Sequence, residues 1–247
     1  MGIVNGLVNG LVNGIVSGEA GKESGFTPLS LPSLTAWWDF SDTSTYDSTS
    51  SVGSVTAKDS NAYVLQQLTP AEKPTTGTIN GLTAIEGDGV DKHLEQTGLN
   101  PLIASPGIYL ACVVNPDSGN SSSDRWITIA GDGSSLVMVR NGNVFVRYAD
   151  ATTHNPNITL GTDRYLVEVV QDNAGLTDVL VNGVSAGSLA MGTGSTFSGV
   201  KTFDLLATSG GAAAIDGRLG EIVICDTGLS AGDLSSVRTY LNNKWGI

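Results

Sequence analysis

The chain has 247 residues, enough for one large domain. Its 12 basic against 24 acidic residues give a net charge of −12, and the Lys and Arg are scattered without a basic stripe, so no nucleic-acid contact is expected. Charged residues are only 15% against a usual share of roughly 25%, and 32 glycines without a Gly-X-Y period exclude collagen and point to strands and turns.

The chain opens on a four-residue repeat, IVNG, LVNG, LVNG and IVSG, ending at Gly18. Its apolar pairs are Ile3 and Val4, Leu7 and Val8, Leu11 and Val12, and Ile15 and Val16. On a helix a step of four drifts only about 40°, which gives one apolar stripe beside a ridge of glycines. Interior glycines cost about 1 kcal/mol each against Ala, so the segment needs a partner to order it. These eight residues are therefore the expected assembly or anchoring site, and a homo-oligomer is expected. Residues 1–18 form this repeat, 19–33 a polar linker punctuated by Gly and Pro, and 34–247 the main domain. No apolar run is long enough to span a bilayer, and the start has no basic region of the kind that opens a secretion signal.

About twelve short strands rich in Val, Ile, Leu and aromatics follow, from Leu34–Phe40 to Leu219–Cys225. Two hairpins are signalled by Asn-Gly pairs, Asn141-Gly142 and Asn182-Gly183, both expected as type I′ turns. No βαβ rhythm appears. The fold class is all-β, two packed antiparallel sheets. One helix closes the chain. Ser230 is its N-cap and Asp233 its acidic third residue. Leu234, Val237, Leu241 and Trp245 share a face, with Leu229 as a staple and Gly246 as the stop.

Chemistry is sparse. The two histidines, His93 and His154, lie apart, and no nucleophile elbow accompanies them. Zinc-ligand spacing and phosphate-binding loops are absent. Glycoside hydrolysis needs two carboxylates about 5–9 Å apart. Glu86 and Asp88 sit at a turn instead, while Glu168 and Glu221 are single carboxylates expected to face solvent. No enzyme is expected. Calcium has two weak candidate loops, one with Asp39, Asp42 and Asp47 and one with Asp88 and Asp91. Neither has EF-hand spacing, so no cofactor is assigned. Cys112 and Cys225 read as buried free thiols. Trp37 and Trp38 should face opposite sides of one strand. Trp126, after the polar loop 117–124, is the candidate exposed aromatic for a glycan.

The tail LGEIVICDTGLSAGDLSSVRTYLNNKWGI, residues 219–247, resembles the closing strand and helix of concanavalin A-like, laminin-G-like jelly-roll domains. LTAWWDFSDTSTY (34–46) resembles their first strand, and 81–91 and 179–188 resemble two further segments in the same order. The resemblance covers residues 34–247 and implies a jelly roll with a short C-terminal helix behind an N-terminal apolar repeat. Such modules with short anchoring segments occur in bacteriophage tail, fibre and capsid-surface proteins. It therefore implies a virion structural protein, located on the virion among other virion proteins, with a carbohydrate-binding module as the alternative.

Overall fold

The computed structural model describes residues 25–97, 107–131, 134–147, 153–158, 160–190, 200–208 and 210–247. The eight residues expected to serve assembly or anchoring, Ile3, Val4, Leu7, Val8, Leu11, Val12, Ile15 and Val16, lie outside the described residues. Among the described residues, two antiparallel sheets of eight strands each pack face to face. Sheet A contains β1 (Leu34–Asp39), β4 (Thr75–Ile79), β5 (Leu82–Asp88), β7 (Ile108–Pro116), β12 (Tyr165–Gln171), β13 (Leu176–Val181), β14 (Val184–Ala190) and β16 (Asp216–Cys225). Sheet B contains β2 (Ser54–Thr56), β3 (Val64–Gln66), β6 (Leu94–Thr97), β8 (Arg125–Gly131), β9 (Ser134–Arg140), β10 (Val144–Arg147), β11 (Thr153–His154) and β15 (Val200–Leu205). The two-sheet sandwich with a short C-terminal helix is as the sequence suggests.

Alternation in the strands makes two cores from one sheet. On β7, Leu110, Cys112 and Val114 face sheet B and join Trp38, Phe40, Trp126 and Phe203. Tyr109, Ala111 and Val113 face the other way and are covered by α1 (Ala231–Trp245) through Val237, Leu241 and Trp245. Trp37 and Trp38 do divide between these two cores. Upstream of β1, Leu31 is buried in the helix-side core and the Phe26 ring lies 6.0 Å from Tyr240.

The helix ends follow their local chemistry. Ser230 Oγ accepts from the Asp233 amide at 3.1 Å, and Gly246 takes the left-handed backbone with φ 67°. β16 is long enough to serve two neighbours on one edge. Asp216–Leu219 pairs with β5, and Glu221–Cys225 pairs with β1. A bulge at Gly220 divides the two, and a side chain there would press into the Trp245 ring at 2.9 Å.

The two Asn-Gly hairpins differ. Asn182 (φ 49°) and Gly183 (φ 76°) adopt the expected left-handed pair. Asn80 (φ 50°) and Gly81 (φ 78°) do the same between β4 and β5, a hairpin not expected from the sequence. Asn141 and Gly142 do not. Their amides instead donate to Asp124 O at 2.9 Å and Ser122 O at 3.1 Å, which binds this turn to the loop before β8. Gly142 is glycine because a Cβ would collide with Ser122.

Acidic groups near β1 set a pH signature. Hydrogen bonds from Lys58 and Ser44 hold the Asp42 carboxyl down at about 2, from an ordinary 3.8. Burial pulls Asp39 up, but bonds from Lys244 and Ser41 outweigh it and leave it lowered. Groups with depressed folded values stabilise above their unfolded value and lose that contribution as pH falls. Stability should therefore drop between about pH 4 and pH 2. Urea unfolding across that window should show a shallower drop for Asp42→Asn than for the natural chain.

Candidate functional site

At one end of sheet B, three segments line an open cleft of about 370 Å³. The loop before β8 supplies Asn120 and Ser122, the β9–β10 turn supplies Asn141 and Gly142, and the segment after β11 supplies Asn157, Ile158 and Leu160. The polar loop residues have local reasons to be here. Asn120 donates to Asp117 O (2.9 Å) and Asp216 O (2.6 Å) and accepts from the Asp216 amide (2.8 Å), so its side chain ties the loop to β16. Ile158 N donates to Gly142 O at 3.0 Å, and Asn143 bridges Asn157, which closes the third wall. Ile158 and Leu160 belong to the inter-sheet core and present its edge as an apolar floor.

Two oxygens in the β9–β10 turn stand out. Asn141 Oδ1 and Asn143 Oδ1 are buried without a hydrogen-bond partner, in a setting where such groups normally have one. Amide side chains offer one acceptor and two donor hydrogens each. A polar-walled cleft with an apolar floor can hold a small polyhydroxylated ligand, whose hydroxyls meet the amides while a C–H face meets the floor.

Trp126 has no part in this cleft. It is 0% exposed and packs in the core between the sheets, over Gly217, where a Cβ would meet its ring at 2.7 Å. The expectation of an exposed platform is thus corrected. A register shift between Arg125 and Ile127 brings Trp126 and Ile127 both into the core, which simple alternation does not foresee.

The carboxylates considered for catalysis are also placed differently. Glu221 and Glu168 are both 0% exposed, under α1, rather than solvent-facing. Glu221 accepts from Trp37 Nε1 (2.7 Å), Lys244 Nζ (2.8 Å), Trp245 Nε1 (2.8 Å) and Tyr240 Oη (2.9 Å). Glu168 accepts from Arg238 Nε (2.9 Å) and Tyr109 Oη (3.0 Å). Burial pushes both carboxyls above their ordinary value despite these cations. They fasten the helix to sheet A. Glu86 pairs with Arg218 at 2.7 Å, and Asp88 Oδ1 caps the turn through Val90 N at 3.0 Å.

The acidic loops are occupied in the same way. Asp47 Oδ1 accepts from Gly53 N and Ser54 N, and Asp39 and Asp42 both pair with Lys58. Among the described residues no group of three or more His, Cys, Asp or Glu is arranged to hold a metal. His93 Nδ1 meets Asp91 O at 2.8 Å, and His154 Nε2 meets Gly187 O at 2.9 Å, in separate regions. Cys112 and Cys225 are buried free thiols. No helix of the described residues is long and apolar enough to cross a membrane.

No protein-family model and no curated protein matches the sequence. Solved structures do match by fold. The binding domain of Paraclostridial Mosquitocidal Protein 1 aligns with a TM-score of 0.63 at 8% identity, over 85% of this chain and 53% of that one. Domain 4 of AbnA, a GH43 extracellular arabinanase from Geobacillus stearothermophilus solved with arabinotriose, aligns at 0.55 and 15% identity, over 83% of this chain and 98% of that one. Trypanosoma rangeli sialidase aligns at 0.58 and 13% identity, over 87% of this chain and 34% of that one. The chain thus spans about half the length of the toxin binding domain and about a third of the sialidase. This finding overturns the expectation of a bacteriophage structural protein with virion partners and virion localisation: the similar folds belong to a toxin binding domain and to glycosidases. What the likeness establishes for this chain is its fold, a two-sheet antiparallel sandwich of the kind those proteins contain.

Proposed function

We propose that this is a non-catalytic, concanavalin A-like carbohydrate-binding module whose ligand sits in the cleft at the end of sheet B. The observation that carries the reading is the cleft itself. Three asparagines and a serine line it above Ile158 and Leu160, and Asn141 Oδ1 is buried there without a donor. Its volume of about 370 Å³ falls within the range of small-molecule sites, roughly 300–1,000 Å³. The side-chain amides of Asn141 and Asn157 would meet saccharide hydroxyls, each such hydrogen bond contributing about 0.5–1.5 kcal/mol. The arabinanase domain, nearly all of which this chain spans, was solved with arabinotriose, which makes arabino-oligosaccharides the first ligands to try.

A glycan array followed by calorimetric titration of the strongest binder tests this. Asn141→Ala and Asn157→Ala should each weaken binding about tenfold, the loss of one good hydrogen bond. Binding that both variants leave unchanged, or an array without any binder, contradicts the assignment.

A further inference from the structure

A sheet edge offers backbone N–H and C=O groups to any strand that comes alongside, and most edges of this sandwich are shielded from that. β11 and β2 have only two and three residues, and Tyr46 bridges Val55 of β2. The free edge of β1 is covered by the segment at 58–61. There Lys58 N donates to Trp37 O at 2.8 Å, and the Trp37 amide donates to Asp59 Oδ2 at 2.9 Å. β4 is flanked by the segment before β2, where Val52 N donates to Pro74 O and Thr76 Oγ1 to Thr49 O, both at 2.8 Å.

β14 is different. Among the described residues it pairs with β13 alone. Its seven residues, VSAGSLA, contain neither a charge nor a proline, and six of them are exposed. Val184 is 71% exposed and Leu189 37%. Natural edges are usually blunted by charge, proline, shortness or a bulge. β14 keeps only a bulge at Ala186 and one side-chain contact, from His154 Nε2 to Gly187 O at 2.9 Å.

Charge selects the partner. With a net charge of −12, two copies of this chain repel over most of their surface. β14 is a strip on which no carboxylate of one copy opposes one of the other. An antiparallel pairing of identical strands about a two-fold axis is self-complementary. Centred near Gly187, it lays the Val184 end of each strand along the Ala190 end of the other, apolar against apolar.

We propose that β14 is the contact between two copies of this chain, which pair antiparallel across a two-fold axis and join their A sheets into one. The pairing stands apart from the carbohydrate reading, so the two can fail separately. The edge nevertheless adjoins the cleft. A Cβ at Gly187 would meet Pro156 at 3.3 Å, and Pro156 precedes Asn157 of the third wall. A dimer therefore carries a cleft beside the contact on each copy.

The test is sedimentation equilibrium of the full chain from about 1 to 200 µM, a range that suits a small edge contact. The natural chain should form dimers within it, and more tightly at higher salt, which screens the repulsion between acidic copies. Val184→Lys and Leu189→Lys place the usual edge charge on exposed positions. Each should weaken the dimer at least about tenfold with an unchanged circular dichroism spectrum. Val90→Lys, at a residue equally exposed (70%) but on the loop after β5, should dimerise as the natural chain does. In hydrogen exchange, β14 amides should be slower in the concentrated than in the dilute natural protein. A natural chain that stays monomeric across the range, or one whose association both β14 lysine variants leave unchanged, overturns the proposal. Exchange at β14 that is independent of concentration in an associating chain does so too.

Discussion

Glu221→Ala is expected to lower the unfolding free energy by about 3–5 kcal/mol, the usual result of removing one partner from a buried ion pair. Four donors converge on this carboxylate: Lys244, Tyr240 and the indole nitrogens of Trp37 and Trp245. The substitution leaves both indole N–H groups buried without an acceptor and Lys244 with Asp39 as its one carboxylate beside the Tyr240 hydroxyl. Glu221→Gln keeps the shape and part of the acceptor capacity, so its loss should be smaller. Chemical denaturation of the three proteins checks the order. A loss under about 1 kcal/mol for the alanine variant would show that the helix is held by its apolar face alone.

Trp126→Ala is expected to cost a similar amount, about 3–5 kcal/mol, by opening a cavity in the inter-sheet core. Its ring contacts Gly217 of β16, so the damage should reach both sheets. Trp126→Phe should recover much of the stability. In that variant, glycan affinity should match the natural chain, because the indole does not line the cleft. Denaturation and titration of the same sample separate the two effects. A folded Phe variant with lost binding would return Trp126 to the ligand site.

The C-terminal helix was legible in full, because its determinants are local. A serine cap, an acidic third residue, spaced apolar residues and a terminal glycine lie within seventeen consecutive positions, Ser230–Gly246. The division of Trp37 and Trp38 was legible for the same reason, since alternation in a strand needs no knowledge of partners. What failed depended on distant contacts. Glu168 and Glu221 look like solvent-facing charges until Arg238 and Lys244, on a helix far along the chain, cover them. Short strands such as β2 and β11 have little signal of their own and exist through pairing.

The cleft shows the limit most clearly. Asn141-Gly142 reads as an ordinary tight turn, and only the loop at Ser122–Asp124 turns it into a wall. The asparagine-rich composition of 141–157 is the available signal. It is far less conspicuous than Trp126, whose place in the core follows from a register shift that sequence does not display.

The most direct measurement is a titration of the isotope-labelled full chain with arabinotriose, followed by amide chemical shifts. The account predicts that shifts concentrate at Asn120, Ser122, Asn141, Gly142 and Asn157 for a ligand that binds. Shifts centred elsewhere, such as on the helix-covered face of sheet A, or no shifts from any saccharide that the glycan array also fails to retain, would contradict it.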